Sequence, residues 1–162
     1  MTELEEMLQP AIGDFELGMH QAANDALENL PPAAKASREV MTRRAWIYQK
    51  VTPWELLREV GGYLTRTWPD EAQHWIWLAY GTRRCLTLKD AEVALQDEVQ
   101  LLPAEPVIHL NLACYAAQLG SLAAARDRLA SAIALDADVR LMALDDTDFE
   151  HLWESLGNSN PR

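Results

Sequence analysis

The chain has 162 residues, 49% of them apolar and 24% charged, with a formal net charge of −11; this is the balance of one globular domain with a buried core. Each phosphate contact needs a cation, so a chain this acidic repels a polyanion and nucleic acid is not an expected partner. No stretch approaches the roughly 18 uninterrupted apolar residues of a membrane span, and Met1 to Glu6 lack the basic-then-apolar pattern of a leader, so a cytoplasmic protein with no membrane partner is expected.

Taken in chain order, the first segment runs from Leu4 to about residue 30, with Gly18, Ala23 and Leu27 at helical spacing and Pro31 and Pro32 closing it. It predicts a weak helix pair over about 4–30. A second pair, about 38–67, carries Ala45, Tyr48, Trp54, Leu57, Leu64 and Pro69, with Thr52 as the expected cap of its second helix and Pro53 at the first helical position. Gly61 and Gly62 fall inside that second helix, where each costs roughly 1 kcal/mol relative to Ala. Gly61 is expected to make room for an indole of the next helix, Trp75 or Trp77.

A third pair, about 72–102, contains Trp75, Leu78, Ala79, Leu88, Ala91, Leu95 and Pro103, with Thr87 as a helix cap. The fourth, about 106–136, is the clearest. Its first helix passes through Leu110, Leu112, Ala113, Tyr115 and Leu119 and stops at Gly120. Its second restarts at Ser121 and carries Leu122, Ala125, Leu129, Ala132, Ile133 and Leu135.

Ala45, Ala79 and Ala113 are spaced by 34 residues, as are Pro69 and Pro103. A fixed period of this length means stacked repeats, each too small to bury its own apolar face. Beyond the last repeat, Val139 to Leu144 predict a short helical turn. Thr147 and Glu150 form an expected capping box that opens a helix through Phe149, Leu152, Trp153 and Leu156. The C-terminal segment, about 139–156, would cover the last repeat's apolar face, making one domain over 1–157 with a flexible tail at 158–162.

The order aromatic, Leu, small residue, Ala, large apolar residue, Pro, best seen in Trp75, Leu78, Ala79, Ala91, Leu95 and Pro103, resembles the tetratricopeptide repeat family. The resemblance covers about Leu4 to Val139. It implies an all-α fold, a right-handed superhelical stack of antiparallel helix pairs, with three clear repeats, a degenerate N-terminal pair and a C-terminal capping helix. Four positions depart from the pattern: Glu98 replaces Ala, Gly61 replaces a large apolar residue, Thr82 stands where Tyr48 stands one repeat earlier, and Ala137 replaces the closing Pro.

In that family the first helices of successive repeats line a concave face that binds peptides. Carried over by phase, this implies partner-binding roles for Arg43, Trp46, Lys50, Trp77, Tyr80, Arg84, Asn111 and Cys114, with Trp75 in the core. Between Arg38 and Arg84 there are eight basic residues against five acidic ones, so an aromatic and basic groove is expected. Its partner would be a peptide or protein bearing an acidic or C-terminal carboxylate group. The implied function is that of a non-catalytic adaptor or scaffold. Two uses stay open beside it: a secretion-type chaperone, a class similarly acidic and built on three such repeats, and a homo-oligomeric structural protein.

No reaction chemistry or cofactor is expected. The chain has no Gly-rich phosphate loop and no Gly-x-Ser-x-Gly turn. His20, His74, His109 and His151 share no ligand spacing, and Cys85 and Cys114 are not closely paired. Asp145, Asp146, Asp148 and Glu150 lack the Gly and closing Glu of a calcium loop, so helix capping is their expected role and no metal site is predicted.

Overall fold

The computed structural model describes residues 2–157 and is helical along nearly all of them. It divides into two compact units, residues 1–85 and 86–162, and the helix pair expected over 72–102 spans the division between them.

The first unit holds α1 (Glu3–Glu16), α2 (His20–Glu28), the single turn α3 (Pro32–Lys35), α4 (Arg38–Val51), α5 (Trp54–Thr67) and α6 (Ala72–Cys85). Thr2 opens α1 with a full capping box, its hydroxyl accepting from the Glu5 amide while the Glu5 carboxylate accepts from the Thr2 amide. Gly18 ends α1 at φ 75°, and the amides of Gly18 and Met19 donate to the carbonyls of Phe15 and Asp14. This crossed pair of bonds requires a left-handed residue at position 18, which glycine supplies at no steric cost. The core of this unit gathers Leu8, Ala23, Leu27, Val40, Ala45, Ile47, Leu57, Leu64 and Trp77, all 2% exposed or less.

Two sequence expectations change here. Thr52 does not cap α5; it ends α4 in the left-handed region, φ 65° and ψ 29°, with its amide donating to the Tyr48 carbonyl at 2.9 Å, and Pro53 takes the cap position of α5. Gly61 makes room for backbone rather than for an indole. A Cβ at position 61 would lie 2.6 Å from the Leu78 amide nitrogen and 3.1 Å from the Trp77 carbonyl carbon. Gly81 stands in the same way against Arg58, so α5 and α6 meet with their backbones nearly touching at two points.

The second unit holds α7 (Leu88–Leu101), α8 (Pro106–Gln118), α9 (Leu122–Leu135), α10 (Val139–Asp145), a 3-10 turn (Thr147–Leu152) and α11 (Trp153–Gly157). Thr87 caps α7 as expected, in a box closed by Asp90. Gly120 ends α8 at φ 80°, with Gly120 and Ser121 donating to Ala117 and Ala116, the same motif that closes α1. Ser121 precedes α9 without a side-chain capping bond. Ala113, Ala125 and Ala132 let α8 and α9 pack closely, and Val139, Ala143, Phe149 and Leu152 bring the C-terminal segment onto the same core.

The capping box expected at Thr147 and Glu150 does not form. Asp146, one residue earlier, accepts from the Asp148 amide with its Oδ1 at 2.9 Å, and the chain runs on as a 3-10 turn before α11. The expected tail at 158–162 lies outside the described residues. Among the described residues no helix is long and apolar enough to cross a membrane.

Candidate functional site

In the first unit, α1, α4 and α6 expose one face. On α4 the spacing of four places Arg38, Thr42 and Trp46 in one stripe, with Arg43 beside it. Trp46 is 42% exposed and borders three adjoining openings. One is a recess of about 40 Å³ lined by Ala11, Ile12 and Phe15 of α1 with Arg43 and Ile47 of α4. The second, about 430 Å³, is lined along α4 by Arg38, Glu39, Thr42 and Arg43. The third, about 640 Å³, lies between α4 and α6 and is walled by Glu71, Gln73, His74 and Trp77 together with Arg38 and Thr42.

Trp46 is held by what lies beneath it. Its ring meets that of Trp77 edge-on, with centroids 5.2 Å apart and planes at 84°, the arrangement that sets a positive ring edge against a negative ring face. Trp77 is fixed in turn, because its indole N–H donates to Gln49 Oε1 at 2.9 Å and its ring stacks on His74 at 6.1 Å. The His74 Nδ1 is 2.9 Å from the Trp68 carbonyl oxygen. In the second unit His109 makes the equivalent tie, its Nε2 3.0 Å from the carbonyl oxygen of Pro103, also six residues earlier.

The burial of the two α6 indoles departs from the sequence expectation. Trp77, expected in the groove, is 1% exposed and belongs to the core. Trp75, expected in the core, is half-buried and donates to the Pro69 carbonyl at 3.1 Å. Adjacent odd positions on a helix point about 200° apart, and the α6 stripe turned inward is His74, Trp77 and Gly81, because Gly81 must meet the α5 backbone.

The basic character of the face is tempered by local acids. Arg38 pairs with Asp70 at 3.5 Å and Glu71 at 3.6 Å, and Arg43 with Glu39 at 3.8 Å, all at partly exposed positions where such pairs contribute little. Arg43 keeps its Nε buried and without a hydrogen-bond partner. Tyr80 and Arg84 come together at the far end of α6 with Trp54, the first residue of α5. Arg84 lies over the Trp54 ring at 5.0 Å and the Tyr80 ring at 5.4 Å, and Trp54 meets Tyr80 edge-on at 5.4 Å. Lys50 is exposed in the last turn of α4.

Asn111 and Cys114 lie on α8, in the second unit. Asn111 is engaged locally, its amide donating to the Val107 carbonyl at 2.9 Å, and the Cys114 thiol points to Asp146 Oδ2 at 3.7 Å. Sequence reasoning passed over Arg38, Thr42 and Gln73 on the α4 and α6 face, and Trp54 as the platform for Arg84. The spacing of four from Arg38 to Trp46 was the available signal for the first two. Burial first and Glu55 second push the Cys85 thiol upward, against the nearby Arg58, and Glu98 is a fully buried carboxyl of α7.

Helix pairs on a 34-residue period, closed by small residues at their crossings, define a tetratricopeptide-type fold, and solved structures bear this out. A structure described as the MamA RS-1 ArsTM double mutant superposes with a TM-score of 0.72 at 18% identity, over 84% of this chain and 76% of that one. MamA MSR-1 C2 gives 0.68 at 20% identity, over 84% and 78%. TTC0263, a thermophilic TPR protein of Thermus thermophilus, gives 0.68 at 20% identity, over 95% and 83%. At these identities the likeness is one of fold. No family model and no curated protein sequence matches the chain.

Proposed function

We propose that this protein is a non-catalytic interaction module, an adaptor or scaffold that holds an extended peptide or protein segment against the α1, α4 and α6 face of its first unit. The observation that carries this reading is Trp46. A large indole left 42% exposed at the junction of three openings, and braced edge-on by a buried Trp77, is the kind of rigid aromatic anchor that dominates binding at interfaces. It offers apolar area at small entropic cost, because its orientation is already fixed.

The partner is a segment with an apolar side chain for the recess beside Trp46 and an acidic side chain or C-terminal carboxylate for Arg43. The guanidinium of Arg43 has an unpartnered buried Nε and only a long, half-exposed pair to Glu39. A carboxylate presenting two oxygens would exchange that weak pair for a bidentate one. Arg84, stacked over Trp54 and Tyr80, and Lys50 at the end of α4 form a second cationic point along the same unit.

The test is selection from a library of peptides with free C-termini, compared with the same library amidated. Selection of acidic or free-carboxylate sequences, lost in Trp46→Ala and in Arg43→Glu while the helical circular dichroism signal stays unchanged, supports the reading. Equal binding by both variants overturns the site, and equal binding of amidated and free peptides without acidic enrichment overturns the carboxylate preference.

A further inference from the structure

We infer that Cys114, Asp146 and Asp148 form a zinc site that ties α8 to the C-terminal segment of the second unit. One thiol and two carboxylates, from a helix and from the turn 32 residues further on, converge until their donor atoms all lie within 4.8 Å of one another. All three side chains are half-buried.

The spacing between Cys114 and Asp146, a thiol hydrogen bond in the absence of metal, is also one that a tetrahedral ion accommodates. With Zn–S about 2.3 Å and Zn–O about 2.0–2.2 Å, neighbouring ligands of a tetrahedron stand about 3.5 Å apart. Cys114 Sγ and Asp146 Oδ2 are 3.7 Å apart. A thiolate with two carboxylates is a donor set that favours a borderline ion such as Zn²⁺ over Mg²⁺ or Ca²⁺, which take oxygen alone.

The outer shell is also in place. Asp146 spends its Oδ1 on the Asp148 amide at 2.9 Å, which aims Oδ2 at the thiol, and the Gln118 side-chain amide donates to Asp148 Oδ2. Second contacts of this kind fix the direction of a ligating carboxylate. Three protein ligands leave a fourth position for water, and zinc binding would release the Cys114 proton. The same two aspartates bridge from the turn to α8, so the ion would clasp the C-terminal segment onto the helix it packs against.

The experiment uses the full chain stripped of metal, titrated with Zn²⁺ alone by calorimetry and with Co²⁺ alone by absorption spectroscopy. One Zn²⁺ per chain and a thiolate-to-cobalt charge-transfer band are expected. Cys114→Ser should abolish the band, and Asp146→Asn and Asp148→Asn should each weaken Zn²⁺ binding by about tenfold or more. Asn still caps a helix, so Asp146→Asn keeps the turn while removing the ligand charge. Cys85→Ser should change nothing. Absence of Zn²⁺ binding by the unaltered chain, a cobalt spectrum without the thiolate band, or full binding by Cys114→Ser overturns the site.

Discussion

Gly61 lies so close to the backbone of Leu78 that a Cβ at position 61 would sit 2.6 Å from the Leu78 amide nitrogen and 2.8 Å from its Cα. Backbone cannot swing aside as a side-chain tip can, so α5 and α6 must separate to admit even one carbon. Gly81 makes the reciprocal contact: a Cβ there would lie 2.6 Å from the Arg58 amide nitrogen. Helix propensity alone would reward Gly61→Ala by about 1 kcal/mol. Overpacking reverses the sign, and Gly61→Ala and Gly81→Ala should each destabilise the protein by about 1–3 kcal/mol in urea unfolding. Gly62 is the control. Its Cβ would meet only the end of the Arg66 side chain at 3.2 Å and Leu78 Cδ1 at 3.8 Å, so Gly62→Ala should be neutral or stabilising. A Gly61→Ala protein as stable as the parent would mean that the two helices are not in backbone contact.

Thr52 carries strain that a substitution can remove. It is the one non-glycine residue at positive φ among those described, at 65°, and a β-branched side chain in the left-handed region costs about 1–2 kcal/mol. Thr52→Gly removes that cost but frees the unfolded chain, for a net stabilisation of about 0.5–1 kcal/mol. A lower urea midpoint for Thr52→Gly would show that the Thr side chain contributes contacts outweighing its strain.

The repeat was legible because its marker residues answer to packing alone. Ala45, Ala79, Ala91, Ala113 and Ala125 are all fully buried, since helix crossings admit only a small side chain there. Thr87 and Gly120 were legible because each sits where one local bond pattern is available to it. Thr52 misled because threonine before proline suits either the end of one helix or the start of the next, and only the Tyr48 carbonyl decides between them. The burial of Trp77 has a longer-range cause: the turn of α6 about its axis follows from the meeting of Gly81 with Arg58, across two helices. Nothing local announces that Cys114 and Asp146 are neighbours.

The two indoles of the candidate site should separate binding from folding. Trp77→Ala removes a fully buried ring and leaves Gln49 Oε1 without its donor, so a loss of about 3–5 kcal/mol is expected. Trp46→Ala gives up one edge-on contact and partly exposed area, for a loss of about 0.5–1.5 kcal/mol. Unfolding curves of the two variants check the difference. Equal losses would mean that Trp46 is as structural as Trp77, and its role as an exposed anchor would fall.

Glu98 occupies a position where the repeat pattern expects Ala, and the structure shows what that departure does. Its side chain is fully buried, neither carboxylate oxygen has a hydrogen-bond partner, and burial first, with the charge of Glu105 second, raises its pKa from 4.5 to about 8. The folded state therefore binds this proton more tightly than the unfolded chain. Below about pH 4.5 both states hold it and the carboxyl costs nothing extra. As pH rises towards 8 the unfolded state gives it up while the folded state keeps it, so stability falls across that window and levels off above it. Each tenfold difference in proton affinity between the two states is about 1.4 kcal/mol, so the loss across the window is on the order of a few kcal/mol. Glu98→Gln, of the same shape and without a proton to lose, should lose less stability than the parent as pH rises from about 5 to 8 and should be the more stable protein at about pH 8. Parallel pH profiles for the parent and Glu98→Gln would show that Glu98 ionises in contact with water and that α7 packs more loosely than a closed core.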